Sequence, residues 1–332
     1  KFDLWLVDAE AFEPSVLLTN GRKSSIVYRF IETNEERKAF AFKDALLLKG
    51  YNEINKSESI SYFDIAQKQI NLIQSFNMHI TNIVGTKNIN DLIVLKEDEH
   101  QAANIYLYQL NNIQQDPKAI AQLNIQQASY NWLNTELIKW KAYTGKTVEG
   151  ILYKPEDFDP KKKYPMIVYF YERNNQTLHN YIPPTPTGSR LNISFFVSRG
   201  YLVFVPDIWY KNGYPGQSAY DHIVSGTKAL IQKGFVDSTK IGLQGQSWGG
   251  YQIAYLITKT NMYAAAWAGA PVVNMTSAYG GIRWGTGMNR QFQYEKTQSR
   301  IGATLWERPD LYLKNSPLFE LPKVQTPLVI MS

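Results

Sequence analysis

From residue 164 onward, short apolar runs alternate with helical patterns, and this alternation restricts the fold more than any other feature of the chain. Residues 166–171 read as a strand, 191–199 as a helix closed by Gly200, and 201–205 as a strand. Residues 220–233 read as a helix closed by Gly234, 240–244 as a strand and 251–258 as a helix, with further strands at 264–268 and 328–331. Strands that are apolar along their whole length need cover on both faces, and intervening helices supply both the cover and the parallel crossovers. A hairpin of 137–143 with 147–153, turning at Thr144-Gly145, precedes them. The expectation is an α/β domain over residues 134–332 with a doubly covered, mostly parallel sheet.

Residues 1–133 have a different texture. Strand-like runs at 4–7, 45–48, 60–65, 92–95 and 105–110 are separated by polar turns, with no amphipathic helix of useful length. Residues 44–49 resemble 91–96 at an offset of 47, and 62–65 are echoed by 107–110 at an offset of 45. Propeller blades repeat at about 40–50 residues, so the spacing fits a β-propeller of about three blades. Ordinary hairpins of another antiparallel β-domain would fit as well.

Composition narrows the chemistry. At 332 residues, two domains are expected. The absence of cysteine excludes disulfides, thiolate metal sites and thiol nucleophiles. The net charge of +6 is spread thinly, its longest basic run being Lys161–Lys163, which reads as a solvated turn and argues against a nucleic-acid partner. No apolar stretch approaches the ~18 residues of a membrane-spanning helix. The chain opens at Lys1 without an initiator Met and closes at Ser332 behind the apolar residues 328–330, so both ends read as cuts through a longer protein.

One motif carries chemistry. Gly245-Gln246-Ser247-Trp248-Gly249-Gly250 lies between a strand and a helix, the setting that a nucleophile elbow requires. A turn this sharp leaves no room for Cβ atoms at Gly245 and Gly249, and it projects the serine hydroxyl clear of the sheet. The helix N-terminus behind Ser247 contributes a positive dipole end, and the Trp248 backbone N–H is placed to stabilise an oxyanion. A glycine-rich connection with an incidental serine is the alternative.

The segment from Gly245 to Gln252 resembles the nucleophile region of the prolyl oligopeptidase family, particularly its dipeptidyl-peptidase and acylaminoacyl-peptidase branches. Residues 150–156, 163–171, 200–207, 213–216, 233–237, 270–272 and 315–318 resemble the hydrolase domain of that family in the same order, so the resemblance spans nearly all of 136–332. It implies an α/β-hydrolase domain preceded by the C-terminal blades of a β-propeller. It implies a serine peptidase acting on short peptides through an acyl-enzyme on Ser247, with Trp248 as main-chain oxyanion donor and Tyr171 as side-chain donor, and with no metal or cofactor. Glu172-Arg173 follow Tyr171 where many members have glycine, a departure from the pattern. The segment 274–300, rich in Gly, Arg and aromatics, is expected to line the cleft, with Arg283, Trp284, Arg290 and Tyr294 as candidates.

A serine nucleophile needs a base, and in this fold the order is Ser, then Asp or Glu, then His. His79, His100, His179 and His222 all precede Ser247. His79 and His100 read as solvated turn residues, His179 as part of a polar loop, and His222 as lying near a helix start. The resemblance puts the missing aspartate just after strand 328–331 and the histidine some tens of residues later, so residues 1–332 alone are expected to be inactive. Glu35-Glu36 are adjacent, as in an amino-terminus anchor, but their neighbours fit a solvated turn. An esterase on the same fold and a non-catalytic pseudo-hydrolase are the competing readings. Oligomeric state stays open, as does compartment, with a periplasmic or extracellular one favoured over the cytoplasm.

Overall fold

The computed structural model describes residues 3–10, 12–33, 39–41, 44–86, 91–110 and 116–331, and Glu35-Glu36 fall outside them. Contacts divide the chain into two units, Lys1–Tyr130 with Gln176–Pro183, and Asn131–Asn175 with Pro184–Ser332. Relative to the division expected after residue 133, the chain changes unit three residues earlier, and the loop 176–183 rejoins the first unit.

In the first unit, β1 (Trp5–Leu6) pairs with β2 (Val16–Leu17), and a one-turn helix α1 (Gly21–Ser24) follows. β3 (Ile26–Phe30), β4 (Ala45–Asn52), β5 (Glu58–Asp64) and β6 (Gln69–Phe76) then form an antiparallel meander. β7 (His79–Gly85), β8 (Asp91–Glu97), β9 (Asn104–Gln109) and β10 (Lys118–Ala119) form a second. These are β-propeller blades. Among the described residues there are two four-stranded blades and a two-stranded ribbon, not three blades. The sequence echo now has a structural meaning: β4 and β8 are second strands of successive blades, and β5 and β9 third strands. Ile60 and Phe76 pack with Ile80, Leu92, Val94 and Tyr108 as a core.

The second unit is an α/β-hydrolase domain. β11 (Leu133–Lys141) and β12 (Thr147–Pro155) form the hairpin, and Gly145 at φ 80° closes its turn. The remaining elements are β13 (Tyr164–Tyr169), α2 (Ile193–Val197), β14 (Leu202–Pro206), α3 (Pro215–Gln232), β15 (Val236–Gln246), α4 (Trp248–Ile257), β16 (Ala265–Gly269), α5 (Met275–Tyr279), α6 (Gln291–Glu295), α7 (Pro309–Lys314) and β17 (Leu328–Met331). The sheet order is β11-β12-β14-β13-β15-β16-β17, parallel from β14 to β17. All five residues of β14 and all ten of α4 are buried, as a doubly covered sheet demands. Met166, Val168, Phe204, Ile241, Leu243 and Ile253 are central to this core.

Several boundaries moved. Helix α3 starts at Pro215, five residues before the expected 220, because proline fits the first helical position, where its missing N–H is no loss. Strand β13 ends at Tyr169, so Phe170 and Tyr171 leave the sheet.

The connectivity fixes where a site can form. From β13 the chain crosses to β14 on one side, and from β14 it returns to β15 on the other side of β13. The reversal opens a crevice at the carboxyl ends of β13 and β15, the usual ligand position in open α/β sheets. Tyr171 follows one strand and Ser247 the other.

Candidate active site

Ser247 sits between the last residue of β15 and the first of α4 with φ 57° and ψ −108°. These dihedrals mirror the first central position of a type II turn, a region dominated by glycine. The conformation is held on both sides: Ser247 N–H donates to Gly269 O at 2.7 Å, and Ser247 O accepts from Tyr251 N–H at 2.9 Å. The serine is exposed, while Gly245, Trp248, Gly249 and Gly250 around it are buried.

The glycines explain themselves by close approach. A Cβ on Gly245 would lie 2.8–3.0 Å from three backbone atoms of Gly249, and one on Gly249 would lie 2.6 Å from Phe170 O. Neither has positive φ; the turn is simply too tight for a side chain. The same proximity brings the end of β13 against the start of α4, with Tyr171 Cδ2 only 3.9 Å from the position of a Gly249 Cβ.

Trp248 is the first helical residue, so its N–H has no intrahelical acceptor and faces the helix terminus. Its ring is buried, stacked on Tyr251 with centroids 4.6 Å apart, and its Nε1–H donates to Tyr210 Oη at 3.0 Å. Tyr210 is a hub. Its hydroxyl donates to Tyr171 O at 3.2 Å and accepts from Gln252 Nε2, which also donates to Tyr171 O at 2.9 Å. Burial drives the Tyr210 phenol far above its ordinary range, so it stays neutral. Two side chains thus hold the backbone at Tyr171.

The Tyr171 ring is 38% exposed, and its hydroxyl accepts from Gln298 Nε2 at 2.8 Å. The next residue accounts for the departure from glycine. The Glu172 carboxylate receives both terminal nitrogens of Arg300 at 3.0 Å each, a bidentate pair joining the β13 end to the segment after α6. Arg300 also lies over the Tyr210 ring, 4.7 Å from its centroid.

The four candidates in 274–300 separate. Tyr294 is 1% exposed and packs with Trp248, Tyr251, Tyr279 and Tyr312, so it is core and not cleft lining. Trp284 is 97% exposed on a turn closed by the Ile282–Asn289 bridge. Arg283 donates from Nη2 to Gln293 Oε1 at 2.7 Å, and Arg290 lies 5.6 Å from the Tyr294 ring centroid.

Three of the four histidines have side-chain partners of their own. His222 is in the middle of α3, 2% exposed, with Nδ1 2.7 Å from Ser218 O; it is neither near the helix start nor at the surface. Burial lowers its pKa, outweighing the Ser218 carbonyl and Asp221. His79 starts β7 with Nδ1 3.2 Å from Glu58 Oε1 and is no solvated turn residue, and His179 lies 3.8 Å from Glu99. Among the described residues, no group of three or more His, Asp or Glu could hold a metal, and no helix is long and apolar enough to cross a membrane.

Sequence reasoning missed Tyr210, Gln252, Gln298 and Arg300. Gln252 lay inside the quoted motif, but nothing local marked it as a donor to Tyr171.

The sequence profile of the prolyl oligopeptidase family matches residues 187–332. Dipeptidyl peptidase 8 of Mus musculus is 33% identical over 150 residues, 41% of this chain and 17% of that protein. Among solved structures, Porphyromonas gingivalis dipeptidyl peptidase 4 superposes with a TM-score of 0.70 at 19% identity, over 99% of this chain and 44% of that one. Pyrococcus horikoshii acylaminoacyl peptidase superposes with a TM-score of 0.64 at 18% identity, over 86% of this chain and 44% of that one. The chain spans less than half the length of each of these three proteins, and the two structural likenesses are likenesses of fold.

Proposed function

We propose that the chain, whose residues 187–332 match the prolyl oligopeptidase family, carries the nucleophile and oxyanion half of a serine peptidase acting on short peptides. The observation that supports this most is Ser247 itself: an exposed hydroxyl on a glycine-like backbone conformation at a strand–helix junction, surrounded by buried residues. Attack of Ser247 Oγ on a peptide carbonyl would form a tetrahedral intermediate, and collapse to the acyl-enzyme would expel the amine. Trp248 N–H at the start of α4 and the Tyr171 hydroxyl are the proposed donors to the oxyanion.

No histidine of this chain is assigned as the general base: His222 is buried within α3, and the order Ser, acid, His of this fold calls for a base after Ser247, whereas all four histidines precede it. Residues 1–332 alone are therefore expected to be inactive on a chromogenic dipeptide. Hydrolysis by this chain that disappears in Ser247→Ala would overturn that expectation. In the full-length protein, a fluorophosphonate probe should label wild type and not Ser247→Ala. Peptide amides should turn over; turnover of esters alone would favour an esterase, and no turnover a non-catalytic relative. Tyr171→Phe should lower kcat by about 10²-fold, the scale of losing one oxyanion donor.

A further inference from the structure

Three side chains lead from the surface to the Tyr171 hydroxyl. Arg283 Nη2 donates to Gln293 Oε1 at 2.7 Å, Gln293 Nε2 donates to Gln298 Oε1 at 2.8 Å, and Gln298 Nε2 donates to Tyr171 Oη at 2.8 Å. A guanidinium has donors and no acceptor, so it can only face an oxygen of Gln293. That choice turns the Gln293 amide nitrogen toward Gln298, which must answer with its oxygen and present its own nitrogen to the phenol. The direction of every bond in the row follows from the cation at its start, and no amide in it can flip without setting two donors or two acceptors against each other.

We propose that Gln298 is a positioning residue for oxyanion stabilisation, holding the Tyr171 hydroxyl in a donor-out orientation at the end of a one-way amide relay that begins at Arg283. The inference rests on the reading of Tyr171 as an oxyanion donor. A phenol O–H lies near the ring plane and has two orientations. An N–H aimed at one side of the oxygen repels the hydroxyl proton from that side, leaving the other for an external acceptor. Each amide also polarises the next, so the charge on Arg283 strengthens the final donor. The segment carrying Gln298 is tied to the same place a second time, because Arg300 grips Glu172 with both terminal nitrogens and donates to Gln298 O at 2.5 Å. Gln293 is buried, so water does not compete at the middle of the row.

The test is a kinetic cycle in the full-length, peptidase-active protein with Tyr171→Phe, Gln298→Glu, Gln298→Leu and the double variants. A carboxylate at 298 can still accept from Gln293, but it accepts from the phenol instead of donating to it and so draws the hydroxyl proton inward. Gln298→Glu should lower kcat about tenfold or more, and Gln298→Leu about two- to tenfold, the span of one hydrogen bond. KM should hold, because the oxyanion exists only along the reaction path. In the Tyr171→Phe background neither change at 298 should lower kcat further. Arg283→Gln should reproduce part of the Gln298→Leu effect by freeing the Gln293 amide to flip. The relay is overturned if Gln298→Glu leaves kcat intact, or lowers it equally with and without the Tyr171 hydroxyl. If Tyr171→Phe itself leaves kcat unchanged while Ser247→Ala abolishes it, the donor role of Tyr171 is wrong and the relay falls with it. Equal thermal unfolding of all variants excludes misfolding as the cause, and Gln298→Leu supplies the reading should the new carboxylate prevent folding.

Discussion

Replacing Ser247 by glycine should stabilise the protein, although it removes the proposed nucleophile. The residue holds φ 57° and ψ −108°, outside the ordinary left-handed region, where an L-residue pays for its Cβ. Its side chain is exposed, so truncation forfeits little buried surface. The informative comparison is Ser247→Gly against Ser247→Ala, since both lose the hydroxyl and only alanine keeps the Cβ. An outlying backbone conformation costs on the order of 1–3 kcal/mol, and glycine's greater freedom in the unfolded chain returns about 0.5–1 kcal/mol of that. The glycine variant should then exceed the alanine variant by about 0.5–2 kcal/mol. For a unit of about 190 residues, each kcal/mol is about 2–4 °C in Tm. Calorimetry on the 332-residue chain measures this directly. A glycine variant melting at or below the alanine variant would show that the elbow stores no strain at Ser247.

Other perturbations probe the packing that supports the site. Gly249→Ala places a methyl 2.6 Å from Phe170 O, so the β13 end or α4 must shift; stability should fall by about 1–3 kcal/mol in urea titrations. Phe204→Ala empties a fully buried position beside Trp140, whose ring centroid is 5.4 Å away, and should cost about 3–5 kcal/mol by the same titration. His222 makes the protein sensitive to mild acid. Burial holds its folded pKa below the ordinary 6.5, so the unfolded chain takes up the proton first and stability is lost as pH falls through about 6.5. Melting temperature should drop between pH 8 and 5.5 in wild type, and less steeply in His222→Gln.

The parts of this fold that were legible in the sequence are those specified by neighbours along the chain. Strand β14 was found because continuous burial writes a continuous apolar run, and β15, β16 and β17 because short apolar runs between helical patterns mark them although their burial is interrupted. The echo between residues 44–49 and 91–96 was readable because both are inner strands of their blades. Strands β6 and β7 were missed for the converse reason: each mixes buried and exposed positions without strict alternation, and bulges interrupt their pairing with β5 and β8. Helix α3 was begun too late because Pro215-Gly216 resembles a turn when its packing against Tyr255 is unknown.

The elbow was legible for the same reason as the strands, and the groups around it were not. Residues 245–250 build their own geometry, since the clash that excludes side chains at Gly245 is with Gly249 four positions away. Polar positioning is different in kind. Tyr171 and Gln298 are 127 residues apart, Glu172 and Arg300 128, and Tyr171 and Gln252 81. A glutamine or arginine in a loop has many possible partners, and only the closed sheet selects one. The same distance argument explains why Glu172, which departs from the glycine common in the family, need not disturb Tyr171. A glycine there would leave the backbone loose, whereas the Arg300 pair restrains it from outside the strand. The rigidity that the proposed oxyanion donor Tyr171 would need is supplied by tertiary polar contacts, while the proposed nucleophile Ser247 is held by main-chain hydrogen bonds to Gly269 and from Tyr251.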